Sequence, residues 1–191
     1  MTATKPEKRR LFEQEAMPHL DSLFTAALYL TRNREEANDL CQETVLRAYR
    51  SFHQFTAGTN CRAWLLTILH NLFRSSRSRA RPEHLSATSE DFERAIESES
   101  LKTSDSFANP EAIVVERNFD RLVQKALQDL PTDFKAALIL VDLEDMTYKD
   151  AAGVLEVPIG TVRSRVSRGR ALLRVALRFF AGERRLAGVE S

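Results

Sequence analysis

The chain has 191 residues, 43% of them hydrophobic and 29% charged, with a formal net charge of +1. This length suits one domain or two small ones, and the composition excludes a collagen-like or wholly disordered chain. Six glycines and six prolines favour helices over a turn-rich β fold; two cysteines outside any CxxC pair and four scattered histidines form no recognisable zinc site, which implies reduced thiols and no metal.

The first sixteen residues, MTATKPEKRRLFEQEA, are charged and carry no apolar signal core. Apolar runs such as AALILV at 136–141 are too short to span a bilayer. The expectation is a cytoplasmic protein without membrane insertion. Residues 8–80 read as helical throughout. Leu20, Leu23, Phe24, Ala27, Leu28 and Leu30 recur at helical spacing. Asn33 is placed to cap a helix over about 34–52, with Glu35 and Glu36 in its first turn. Ala37, Leu40, Cys41, Thr44, Val45, Ala48 and Phe52 form the apolar stripe of that helix, and Asp39, Gln42, Glu43, Leu46, Arg47 and Arg50 its other face. The stretch HQFTAGTN interrupts the pattern: Gly58 permits a turn and Asn60 can cap the next helix. That helix, about 61–79, holds Trp64, Leu65, Ile68, Leu69 and Leu72, and ends in arginines alternating with serines.

Composition changes at Pro82. Between there and Ser106 stand seven acidic residues, two basic residues and six serines, the signature of a mobile acidic linker. A short helix over 90–97 is conceivable on pattern alone. Order resumes near Pro110 with an apolar stripe from Ile113 to Leu130, and Pro131 reads as the first residue of a further helix. The resulting architecture is all-α: two small helical domains, 8–80 and 112–182, joined by a flexible linker over 81–111.

The most specific signal lies at 147–178. Thr147 can cap YKDAAGVL, with Asp150 three residues on, close to the acid position of a capping box. The small residues Ala151 and Ala152 allow a second helix to approach. EVP makes a short turn, and IGTVRSRVSRGRALLRVALRFF begins the longer second helix. Two helices joined by a three- or four-residue turn form a DNA-reading arrangement. At 100° per residue, Val162, Val166, Leu173, Ala176 and Leu177 share one face, while Arg163, Ser167, Arg170, Arg174 and Arg178 fall within about 80° of each other on a neighbouring one. Arg165 and Arg168 are expected to point elsewhere and widen the basic surface. Arginine near the start of such a helix can pair bidentately with guanine, and the others can bind phosphate and make affinity salt-dependent. Glu156 stands where many such turns carry glycine.

LPTDFKAALILVDLEDMTYKDAAGVLEVPIGTVRSRVSRGRALLR resembles region 4 of bacterial group 4, or extracytoplasmic function (ECF), sigma factors of the sigma-70 family. DLCQETVLRAYRSFHQFTAGTNCRAWLLTILHNLFRSSRSR resembles their region 2. The resemblance covers about 20–80 and 112–178, in the family's order. It implies a promoter-specificity subunit of RNA polymerase that helps open promoters, with no catalytic chemistry and no cofactor. It implies −35 contacts from Arg163, Ser164, Ser167, Arg168 and Arg170, the last to phosphate. It implies −10 contacts from Phe55, Thr59, Asn60, Arg62, Asn71 and Arg74, with loop 55–60 holding a flipped base, Asn71 near that pocket, and basic side chains tracking the single strand. Trp64 fits either core packing or DNA contact. Docking on the β′ clamp helices would use Asp39, Gln42, Glu43, Leu46 and Arg47. The β flap, promoter DNA and an anti-sigma factor complete the implied partners. The linker would thread toward the polymerase active centre. A sigma-like decoy that sequesters an anti-sigma factor is the alternative, although a decoy needs neither the arginine ridge nor the −10 loop. A conventional repressor would not need the first domain, and carboxylate chemistry at Glu35, Glu36 and Glu43 lacks a partner histidine or acid at metal-binding spacing.

Overall fold

A computed structural model describes residues 5–80, 123, 125–127 and 130–187, and the side chains of these apart from 5, 78–80 and 178–187. Every regular element among the described residues is helical. In chain order they are α1 (Lys5–Ala16), a 3₁₀ turn (Met17–His19), α2 (Leu20–Thr31), α3 (Arg34–Ser51), a second 3₁₀ turn (Phe52–Gln54), α4 (Cys61–Ala80), α5 (Thr132–Leu138), a π-helical turn (Ile139–Leu143), α6 (Tyr148–Leu155) and α7 (Ile159–Ala187). The acidic linker, the conceivable helix at 90–97 and the apolar stripe before Val123 lie outside the described residues.

Polar side chains set three of the helix starts. Asn33 Oδ1 accepts from the amides of Glu35 (2.8 Å) and Glu36 (3.3 Å) and so starts α3. Asn60 Oδ1 accepts from Ala63 N at 3.0 Å at the head of α4. Thr147 Oγ1 accepts from Asp150 N at 3.1 Å and donates to Asp150 Oδ2 at 2.9 Å, closing the local ring expected at the head of α6. Such caps satisfy amides that have no partner inside the helix, and losing one costs about 0.5–2 kcal/mol. Pro131 lies one residue earlier than expected. It precedes α5, and its carbonyl accepts from Lys135 N at 3.0 Å.

One unit comprises the described residues up to 80 together with 139–163. Its core is built where the apolar stripes of α1 to α4 meet: Leu23, Ala27, Ala37, Ala48, Leu65 and Leu69 are buried. Phe12 of α1 packs edge-on against Tyr49 and Phe52, each at 5.3 Å between ring centroids. Within the same unit α6 packs against α4. The second unit comprises the described residues of 84–138 and 164–191. There a glycine lets α7 close on α5: a Cβ at Gly169 would lie 2.9 Å from Leu138 Cδ1, and the Leu138 side chain would have to shift. α7 buries Val162 and Val166 as its periodicity predicts and Gly169 besides, but the next buried position is Leu172, with Leu173, Ala176 and Leu177 half-buried.

Candidate nucleic-acid interface

Exposed positions on α7 include Arg163, Ser164, Ser167, Arg168 and Arg170, the side chains that the sequence singles out, together with Arg174 further along the ridge. The alternation follows from periodicity: Val162, Val166 and Gly169 anchor one side of the helix and turn the opposite arc outward. The Arg163 guanidinium stands 6.0 Å from the centroid of the Tyr148 ring, at the outer limit of a cation–π contact. Arg165 departs from expectation. It does not widen the basic surface, because its side chain is folded onto the Asp133 carboxylate at 2.5 Å. Helical periodicity cannot show such a pair, which spans two helices 32 residues apart.

The turn before α7 is built without glycine. Glu156 takes a left-handed conformation (φ 55°, ψ 41°), and its amide closes on Ala152 O. For a residue with a Cβ this conformation costs about 1 kcal/mol or more. Pro158 then presents a carbonyl that accepts from Thr161 N (2.9 Å) and Val162 N (3.2 Å), which starts α7.

The residues expected at the −10 element fall into two groups. Phe55 belongs to an aromatic cluster: it stacks on Phe52 at 5.7 Å and leans on Trp64 at 5.3 Å. Phe52, Phe55 and Trp64 are each only half-buried, so the cluster serves the core and still leaves π surface outside. Thr59 and Asn60 are exposed, but both are used by the fold. Thr59 Oγ1 donates to Thr56 O at 2.7 Å, and the Asn60 side chain caps α4. Gly58, at φ 82°, supplies the reversal between Thr56 and Thr59.

The second group, Arg62, Asn71 and Arg74, lies along α4. Asn71 follows Trp64 by seven residues, hence on the same face about 10 Å further along. Each of the three has a carboxylate neighbour. Arg62 Nη1 lies 3.9 Å from Glu144 Oε2, and Arg74 Nη2 lies 3.7 Å from Glu156 Oε2. Asn71 Nδ2 donates to Glu156 Oε1 at 3.3 Å, while its Oδ1 is buried without a partner. Glu144 is itself only 5% exposed and accepts a short hydrogen bond from Ser22 Oγ. Neither acid was legible as a neighbour of these residues. The one signal was Glu156 at a turn position suited to glycine.

On α3, Asp39, Gln42, Leu46 and Arg47 are exposed and Glu43 is half-buried. Leu46, half exposed, is the apolar centre of this face. Glu43 and Arg47 form an i,i+4 ion pair at 2.7 Å. Asp39 and Glu43 also rim a groove of about 620 Å³ floored by Leu30, Leu40, Leu72 and Phe73.

An exposed arginine–serine ridge on one helix, a half-buried aromatic cluster beside a short loop, and an apolar-centred acidic face are thus carried by separate elements. Comparison with known proteins finds the same order of modules. Residues 16–83 match the family model for sigma-70 region 2, and residues 120–173 match the model for sigma-70 region 4. The chain belongs to the ECF sigma factors of RNA polymerase. It is 35% identical over 85% of its length to the ECF sigma factor SigE of Mycolicibacterium smegmatis, and spans 63% of that relative's length. It is 36% identical over 82% of its length to the ECF sigma factor EcfG of Rhodopseudomonas palustris, and spans 79% of that protein. Among solved structures, it superposes on the sigma factor RpoE of Bartonella quintana, in complex with the anti-sigma factor NepR, with a TM-score of 0.65 and 30% identity, covering 87% of this sigma factor and 96% of that chain. No helix among the described residues of the sigma factor is long and apolar enough to cross a membrane.

Proposed function

We propose that this sigma factor binds core RNA polymerase in the cytoplasm and directs it to promoters, reading the −35 element with α7 and the −10 element with loop 55–60 and α4. It acts by binding alone, and the polymerase makes the phosphodiester bonds. The observation that carries this reading is the outward arc of α7. Arg163, Ser164, Ser167 and Arg168 are exposed above a buried row of Val162, Val166 and Gly169, as a helix laid in a major groove requires. The α3 face of Asp39, Gln42, Glu43, Leu46 and Arg47 is its docking surface for the β′ clamp helices, with the exposed Leu46 as apolar anchor. The β flap is the expected polymerase contact of the region-4 domain, 112–182. The solved relative carries an anti-sigma factor, and the same class of partner is proposed here. The exposed arginines disfavour a decoy, which has no use for a DNA-reading surface.

The test is reconstitution. Core polymerase plus this sigma factor is expected to start transcription from a matched promoter, and the sigma factor alone to bind duplex DNA weakly. Leu46→Asp is expected to abolish assembly with core. Transcription that survives Arg163→Ala with Arg168→Ala, on a promoter dependent on its −35 element, would overturn the assignment of α7.

A further inference from the structure

The reading arc of α7 is useful only if the helix is held at one rotation about its axis. Two contacts with α5 set that rotation. At one, Arg165 Nη2 meets Asp133 Oδ2 at 2.5 Å, with the Arg165 side chain 21% exposed and the Asp133 side chain 64% exposed. At the other, one turn further along α7, the missing Cβ of Gly169 lets the helix close on Leu138 and Phe134. Arg165 and Gly169 are four residues apart on α7, and Asp133 and Leu138 five apart on α5, so the two helices are pinned at two heights about 6–8 Å apart. On a 100° wheel Arg165 and Gly169 lie about 40° from each other, and the centre of the set Arg163, Ser164, Ser167, Arg168 and Arg170 lies about 170° away. The pinned side and the reading side are therefore opposite faces of one helix.

The two pins differ in kind. Gly169 is a matter of volume. Asp133 is a charge, and the group it holds is one that also binds phosphate. A guanidinium on a long aliphatic stem can swing to the nearest anion. We infer that Asp133 is a specificity-determining positioning residue. Its carboxylate occupies Arg165 in place of a DNA phosphate, which keeps that arginine out of sequence-independent binding and fixes the face that α7 presents to the −35 bases. This rests on the −35 reading proposed above. Discrimination depends on the ratio of specific to non-specific affinity, so withholding a cation from the backbone raises it. Because Asp133 is largely exposed, its pair with Arg165 adds little to stability, and its removal leaves a folded protein.

The experiment uses holoenzyme assembled from core polymerase and sigma factor carrying Asp133→Asn, Asp133→Glu, Arg165→Met or Asp133→Asn with Arg165→Met. Arg163→Ala serves as control. The readouts are initiation from promoters with matched and base-substituted −35 elements, and the salt dependence of binding to DNA that lacks a promoter. Asp133→Asn is expected to initiate less selectively and to steepen the slope of log affinity against log salt by about 0.9, the value of one added phosphate contact. Asp133→Glu is expected to retain most of the selectivity. The double variant is expected to return the slope to that of the parent, because the released cation is gone. The inference is overturned if Asp133→Asn matches the parent in both slope and selectivity, or if the slope steepens equally in the double variant. In either case an Arg163→Ala that still loses −35 selectivity leaves the reading of α7 standing, whereas an Arg163→Ala without effect removes that reading itself.

Discussion

The two surfaces proposed to meet promoter DNA use the same residue types, but the acids paired with them stand in different places. On α7 the carboxylate of Asp133 holds Arg165, on the side away from the proposed reading arc. On α4 the acids stand at the reading residues themselves: Glu144 beside Arg62, and Glu156 beside both Asn71 and Arg74. A single strand reaching Arg62, Asn71 and Arg74 must first replace carboxylates with phosphates. A basic residue in a DNA-binding sequence is thus not one kind of site. Its nearest anion decides whether binding adds an interaction or exchanges one.

The contrast can be broken by experiment. The largest effect is expected on α7. Arg163→Ala with Arg168→Ala removes two candidate base contacts worth about 1–3 kcal/mol each, so −35-dependent initiation should fall by roughly 5- to 150-fold for each. Next is the pin behind that arc. Gly169→Val places a branched side chain where a Cβ alone meets Leu138 at 2.9 Å. Overpacking of this kind costs about 1–3 kcal/mol, to be read as a lower Tm together with weaker −35 selectivity. Third is Glu156→Gly. It relieves a left-handed backbone at an exposed position, offsetting the loss of one weak hydrogen bond and one exposed ion pair. Tm is expected to hold or rise by the equivalent of about 1 kcal/mol, and affinity for a single-stranded −10 oligonucleotide is expected to increase. A decrease would show that Glu156 orients Asn71 for DNA rather than competing with it.

The last concerns the thiols and is absent at neutral pH. Burial pushes both Cys41 and Cys61 up to about 11. The unfolded chain loses these protons near 9 and the folded chain only near 11, so folding retains protons in that window. Stability is accordingly full below pH 9 and falls as pH rises from 9 to 11. Alkylation of the folded protein at pH 8 is expected to be slower than that of an exposed cysteine and to accelerate steeply above pH 9, because only the thiolate reacts.

What the sequence made legible was local. Asn33, Asn60 and Thr147 announce helix starts because a cap and its amides lie within three residues. Val162 and Val166 predict the outward arc because burial follows a 3.6-residue period. The partnerships that set electrostatics are not local. Arg62 and Glu144 are separated by 82 positions, Arg74 and Glu156 by the same number, and Asp133 and Arg165 by 32. No period connects them. The sequence marked Glu156 as an unusual turn residue, and that mark led to a real partner, but the partner's identity needed the packing of α6 on α4.

The π-helical turn at Ile139–Leu143 carries a consequence for chain length. Glu144 N reaches back five residues to Ile139 O at 2.9 Å, where an α-helix would reach four. Such turns hold one residue more than regular winding needs. Deleting a single residue there would let the segment wind as an ordinary helix and leave Glu144 in phase, facing Ser22 and Arg62 as before. At this point the chain is built to tolerate the loss of one codon, with the carboxylate beside Arg62 kept in place.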